Sequence, residues 1–186
     1  RMGYRDRTGQ LGVERFMKRY FLVAKDVGAL TRIIAAKLEA EQKKKPEGFR
    51  RLLPQKTPQA LEDEGFVIDA GRGSITSEAV MKDDPLNMLR LFIIARRESK
   101  DIHPDALSAI TRNLRALNES IRNTDDARKL ILDAILGGRD PALILRRMNE
   151  AGVLGKAIPE FGGIVAQTQF NMYHHYTVDE HTIRAV

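Results

Sequence analysis

The sequence predicts an all-α fold, an irregular helical bundle interrupted by at most one short β-hairpin near residues 66–76. Three observations predict it. Apolar residues recur at spacings of three and four through most of the 186 residues. Asp-Pro occurs at Asp84-Pro85 and again at Asp140-Pro141, each time ahead of such a run, which is the cap-and-proline signature of a helix start. Strand-type residues bounded by glycines stand out in one stretch, Phe66-Val-Ile-Asp-Ala-Gly-Arg-Gly-Ser-Ile-Thr76. The expected architecture is about five to seven packed helices.

The first element is a long helix over residues 12–42. Phe16, Tyr20, Val23, Val27, Leu30 and Ile34 are spaced 4-3-4-3-4, with Leu38 following, so the spacing predicts an amphipathic stripe facing a partner helix. Gly28 lies beside the stripe. It costs about 1 kcal/mol against alanine, and either is tolerated there or lets another backbone come close. Pro46 ends the helix. Residues 46–65 hold three prolines and little periodicity, which predicts loop. Asp69-Ala-Gly-Arg-Gly73 then reads as the turn of the hairpin. It is not a phosphate loop, because it lacks the G-x-G-x-x-G spacing and the G-K-[ST] ending.

The second half is helical throughout. Asp84-Pro85 opens a helix with Leu86, Leu89 and Ile93 on its buried side. Pro104 opens another, and Leu107, Ile110, Leu114, Leu117 and Ile121 predict one helix through to residue 121. Thr124-Asp-Asp126 caps a third, with Leu130, Ile131, Ala134 and Ile135 inside and Gly137-Gly138 ending it. Asp140-Pro141 begins a fourth, closed by Gly152. Ile158-Pro-Glu-Phe-Gly-Gly163 reads as a turn leading into Ile164-Val-Ala166.

Composition narrows the function classes. No run approaches the roughly 20 apolar residues of a membrane span, and no apolar segment of a secretory signal follows the first residues. There is no cysteine, which excludes a disulfide scaffold and a cysteine zinc site. The expected location is cytoplasmic. The net charge of +6 comes from 31 basic residues dispersed among 25 acidic ones, and there is no tryptophan. Nucleic acid is therefore not the expected partner.

Chemistry-bearing residues concentrate in Asn171-Met-Tyr-His-His-Tyr-Thr-Val-Asp-Glu-His181, which holds three of the four histidines. Thr177-Val-Asp-Glu180 fits a capping box, with Thr177 as the cap and Glu180 reaching back to its N–H. Val178 then begins a helix, Asp179 favours its positive end, and His181 ends its first turn. Imidazole and carboxylate suit zinc, manganese or iron, but a site needs three or four ligands. The helix carries Asp179 and His181 to different sides, and His103 lies far off beside Pro104. Any site here is incomplete.

Five stretches, in order, carry a resemblance: Gly12-Val-Glu-Arg-Phe-Met-Lys-Arg-Tyr20, Asp84-Pro85 with Leu89 to Phe92, Met148-Asn-Glu-Ala-Gly-Val-Leu-Gly155, Ile158-Pro-Glu-Phe-Gly162 and Tyr176-Thr-Val-Asp-Glu-His181. Together they resemble the central part of the bifunctional PII-protein uridylyltransferase/uridylyl-removing enzymes of bacterial nitrogen regulation. That family joins a nucleotidyltransferase domain, a helical region, an HD-type phosphohydrolase domain and two small sensing domains. The resemblance implies that residues 1–170 are the helical region and residues 171–186 the truncated start of the HD domain. It implies that His181 is the first HD metal ligand in the intact enzyme, and His174 matches a family histidine kept as a lesser metal candidate. The implied parent enzyme transfers UMP from UTP to a tyrosine of the PII protein and hydrolyses it off again. It responds to glutamine and uses a divalent metal, magnesium or manganese.

This piece is expected to hold no complete catalytic site, no bound cofactor and no activity of its own. It has no His-Asp dipeptide and no Asp-x-Asp pair for triphosphate metals. Two alternatives stand beside this: the helical part of the related glutamine-synthetase adenylyltransferase, and a basic helical nucleic-acid-binding module.

Overall fold

The computed structural model describes residues 3–43, 58–138, 140–168 and 176–186. Helices dominate, as predicted. They run α1 (Gly12–Lys43), α2 (Ala79–Asp83), α3 (Asn87–Arg97), α4 (Pro104–Asn113), α5 (Glu119–Arg122), α6 (Asp125–Leu136), α7 (Pro141–Glu150), α8 (Val153–Ala157), α9 (Pro159–Ile164) and α10 (Val178–Arg184). The ten among the described residues exceed the expected number because α2, α5, α8 and α9 are only four to six residues long.

The centre is α3. Met88, Leu89, Leu91, Phe92, Ile94 and Ala95 are all buried on it. The predicted stripe is therefore too narrow, because α6, α7 and the hairpin surround this helix. A helix whose buried arc is this much wider than an ordinary surface stripe belongs in the middle of a bundle. Ala106 and Ile110 of α4, Ala134 of α6, and Leu145 and Met148 of α7 complete the core with Val153 and Leu154 of α8.

The caps form largely as read. Thr124 Oγ1 accepts from Ala127 N at 3.2 Å, and Asp140 Oδ1 accepts from Leu143 N at 2.9 Å. Asp84 Oδ1 accepts from Leu86 N at 2.9 Å, so α3 starts two residues beyond Pro85. His103 caps α4, its Nδ1 accepting from Asp105 N at 3.2 Å. Gly152 closes α7 at φ +78°, in the left-handed region that favours glycine.

Three elements differ from expectation. The helix predicted from Pro104 to residue 121 breaks into α4, a 3₁₀ turn over Leu114–Ala116, and α5. The break has a local cause: Asn118 Oδ1 accepts from Ile121 N at 3.2 Å and starts a new helix. The turn predicted at residues 158–163 is the helix α9, with Pro159 in its first turn. The hairpin is present as β2 (Phe66–Asp69) and β3 (Arg72–Ile75), and a two-residue strand β1 (Gln59–Ala60) adds to it in order β1-β2-β3, antiparallel throughout. That third strand falls where loop was predicted; residues 46–57 of the same stretch, with Pro46 as the predicted end of α1, lie outside the described residues. Asp69 pairs with Arg72, leaving Ala70 and Gly71 as a two-residue turn at φ +48° and +78°, the type I′ geometry that matches strand twist. Gly73 N donates to Asp101 O at 2.8 Å and its carbonyl accepts from His103 N at 2.7 Å, which seats the hairpin on the α3–α4 connection.

The largest correction concerns α1. Its helix is where the spacing puts it, and Phe16, half-buried, packs edge-on with its ring 5.5 Å from that of Tyr4, but the rest of the stripe is exposed. Tyr20, Val23, Val27, Leu30, Ile34 and Leu38 are 49–59% exposed. What meets the body is another side of α1, which packs along α4.

An ion pair between the short helix α2 and α4 gives a pH prediction. Glu78 receives Arg112 Nη2 at 2.7 Å and Asn113 Nδ2 at 2.9 Å. These bonds hold its carboxyl at about 2, down from 4.5. A depressed carboxyl stabilises the fold above its unfolded value and loses that contribution as pH falls through the folded one. Unfolding free energy should therefore drop between about pH 4.5 and pH 2 by more in the natural chain than in Glu78→Gln. Denaturant titrations across that range check it, and added salt should shrink the difference because the pair lies at the surface.

Candidate functional site

The C-terminal helix α10 lies against α7 and α9. Its own residues dictate this. Ile183 is buried and Asp179, four residues earlier on the same side, is buried too. A buried carboxylate needs partners, and α7 supplies one. Asn149, in the last turn of α7, donates from Nδ2 to Asp179 Oδ2 at 2.9 Å. Asn149 Oδ1 in turn accepts from Lys25 Nζ of α1 at 2.8 Å. One asparagine therefore joins three helices. Burial pushes the Lys25 ammonium down, while Asp179, Glu150 and Asp26 oppose that by charge. The other oxygen of Asp179, Oδ1, is buried with no hydrogen-bond partner among the described residues.

Beside this chain of bonds, Arg146 of α7 grips Glu180. Its Nη2 donates to Oε1 at 3.0 Å and its Nε to Oε2 at 3.2 Å. Arg184 adds a third bond to Oε1 at 2.8 Å, one turn along α10, and its guanidinium lies 4.0 Å from the centre of the Tyr176 ring. The hydrogen bond from Arg146, reinforced by Arg184, holds the Glu180 carboxyl below the usual carboxylate range.

The capping box is thereby corrected. Thr177 stands at the N-cap of α10 with an extended backbone, but its side chain makes no capping bond. Glu180 has been taken by two guanidinium groups. Charge-assisted bonds of this fork type are roughly twice as strong as neutral ones, so the carboxylate turns to Arg146. Asp179, read as favouring the helix dipole alone, is in fact buried against Asn149.

His181 is exposed, on the side of α10 away from Asp179. His174 and the adjacent His175 lie outside the described residues. His103 is committed to capping α4. No group of three His, Cys, Asp or Glu that could hold a metal ion occurs among the described residues. His181 could offer one ligand, but Glu180 is already bonded to Arg146 and Arg184. The residues described do not by themselves fit a metal centre.

Residues 66–156 match the family model described as the third domain of uridylyltransferase GlnD. This stretch is similar to the GlnD third-domain family. The match starts at β2 and ends within α8, so it covers the hairpin and the core helices. Over all 186 residues the chain is 52% identical to a bifunctional uridylyltransferase/uridylyl-removing enzyme of Azospirillum brasilense, and 52% identical over 189 aligned positions to one of Caulobacter vibrioides. The chain spans 20% of the length of each of these relatives. No solved structure matches it. Among the described residues, no helix is long and apolar enough to cross a membrane.

The residues that sequence reasoning missed are Lys25, Arg146 and Asn149. Asn149 sat inside a stretch quoted for the resemblance, yet periodicity gives no reason for an amide on the buried side of α7. That anomaly was the available signal, because a buried polar group calls for a buried partner.

Proposed function

We propose that this chain is the central segment of a bifunctional PII-protein uridylyltransferase/uridylyl-removing enzyme, and that it seats the first helix of an HD-type phosphohydrolase domain on the helical region. The observation that supports this most is the joint at α10. Asn149 and Arg146 fix two successive carboxylates, Asp179 and Glu180, and leave the next residue, His181, facing outward. In this reading residues 1–170 are the helical region and residues 171–186 begin the HD domain, where His181 becomes a metal ligand once later residues join it. His174 remains the lesser candidate. The whole-length likeness to the uridylyl enzymes favours this reading over the adenylyltransferase and over a nucleic-acid-binding module.

The activity then belongs to the intact protein: UMP transfer from UTP to the PII protein, hydrolytic removal, response to glutamine, and use of magnesium or manganese, in the cytoplasm. The segment itself positions and connects. Incubated alone with UTP and PII protein, it should incorporate no UMP above background and remove none from uridylylated PII. Turnover in a preparation free of host enzyme would contradict the proposal. The polypeptide that follows residue 186 provides a second check: an adjacent His-Asp pair should occur in it, and its absence would remove the HD assignment.

A further inference from the structure

The helix α1 meets the body through a mixed side, where Lys18, Lys25 and Arg32 run beside the half-buried Ala29 and Ile33, and it leaves most of its apolar stripe outward. Lys18, Lys25 and Arg32 recur every seven residues and so lie in one row along the helix. Each is tied to the body. Lys18 Nζ donates to Gly163 O at 3.0 Å, Lys25 Nζ to Asn149 Oδ1 at 2.8 Å, and Arg32 pairs with Glu150. These three tethers fix the roll of the helix. The stripe from Tyr20 to Leu38 cannot turn inward without breaking all of them.

The exposed surface is wider than a seam. Tyr20, Val27 and Ile34 repeat every seven residues, with Val23 and Leu30 between them. Ala24, Gly28, Thr31 and Ala35 flank that row and are also exposed. At 100° per residue, the uncharged arc spans about 160°, against the roughly 100° of an ordinary surface helix. A side chain at Gly28 would meet nothing within 4 Å, so the close approach a glycine permits is unused by the described residues.

A parallel second copy of the chain is a poor occupant. A two-stranded coiled coil has a narrow apolar seam bordered by charges that pair across it. Here the bordering positions opposite Arg19 and Asp26 of a parallel copy would be Ala24 and Thr31, which offer no opposite charge. A broad uncharged arc with small residues suits several helices at once. The curated relatives supply the source: they match the chain along its whole length, α1 included, and the chain is 20% of their length. We infer that the outward face of α1 is the docking surface for a helical part of the same polypeptide lying outside these 186 residues, so that α1 is shared between two folded bodies. This rests on the reading of the chain as a segment of a longer enzyme.

The test uses cysteine labelling. Leu30→Cys, and separately Val23→Cys, are placed in the 186-residue chain and in the intact protein with its other cysteines replaced. Protection is the maleimide reaction rate of the urea-unfolded protein divided by that of the native one. In the intact protein both positions should be protected at least about tenfold more than in the isolated chain, at every protein concentration. Equal protection in the two proteins overturns the inference. So does protection in the isolated chain that rises with its concentration, which would assign the face to a second copy. UMP transfer by the intact protein is measured alongside. An active Leu30→Cys enzyme whose introduced thiol reacts freely sinks the docking surface alone, whereas protected positions in a protein that transfers no UMP support the docking and sink the proposed activity.

Discussion

Asn149→Ala should destabilise the chain by about 2–4 kcal/mol, a range set by the cost of leaving a buried charge without its hydrogen-bond partner. The size of the effect follows from where the amide sits. Asn149 is the hydrogen-bond partner of Asp179 Oδ2, and Asp179 Oδ1 has none among the described residues. Alanine would therefore leave a buried carboxylate with neither oxygen bonded. It would also release Lys25, whose ammonium burial already pushes down. Chemical denaturation of the natural and substituted chains measures the loss. A second variant separates lost bonding from lost volume. Asn149→Leu combined with Asp179→Leu removes both partners together, and exchanging a buried polar pair for apolar side chains is often close to neutral. The double variant should be more stable than Asn149→Ala. If Asn149→Ala costs less than about 0.5 kcal/mol, the range of ordinary surface changes, the amide does not hold α10 in place.

The legibility of this chain was uneven, for physical reasons. Signals confined to a few neighbouring residues were readable. Thr124, Asp140 and Pro141 start helices because their side chains or ring act within one turn, and Gly152 ends one because its backbone must turn left-handed. The hairpin was readable because strand-type runs flank the glycine-containing stretch Asp69–Gly73, although Ala70, at φ +48°, is not a residue that favours the left-handed region. Signals that depend on a distant competitor were not. The sequence of residues 177–180 contains a capping box, and nothing local says that Arg146, 34 residues away, will claim Glu180. Periodicity told where α1 runs and which of its residues are apolar. It could not tell that Asn149, Glu150 and Gly163 would tether the opposite side and leave the stripe outward. The split of the helix after Asn113 was missed because the apolar spacing continues through it, while Asn118 offers a cap that breaks the backbone pattern.

The candidate site was legible in part for the same reason. His181 was placed on a helix start, and the helix is there. The outward direction of its side chain follows from Asp179 and Ile183 turning inward, which the sequence alone does not force. The proposed role of His181 gives the second large effect. His181→Ala in the intact enzyme should reduce uridylyl removal by more than about a hundredfold, since losing even a group that supports a metal ligand costs about 10–100-fold. The fold should not suffer, because His181 is exposed and substitutions at exposed positions stay within about 0.5 kcal/mol. UMP transfer should persist, because the proposal assigns it to a separate domain with its own metal-binding aspartates.

Both activities measured side by side on intact His181→Ala protein, with its melting temperature, test the central claim that this segment delivers the first residue of a hydrolytic centre. The predicted result is removal of UMP from PII lost, transfer of UMP to PII retained, and an unchanged melting temperature. Uridylyl removal at the natural rate, or an equal fall in both activities, would contradict it.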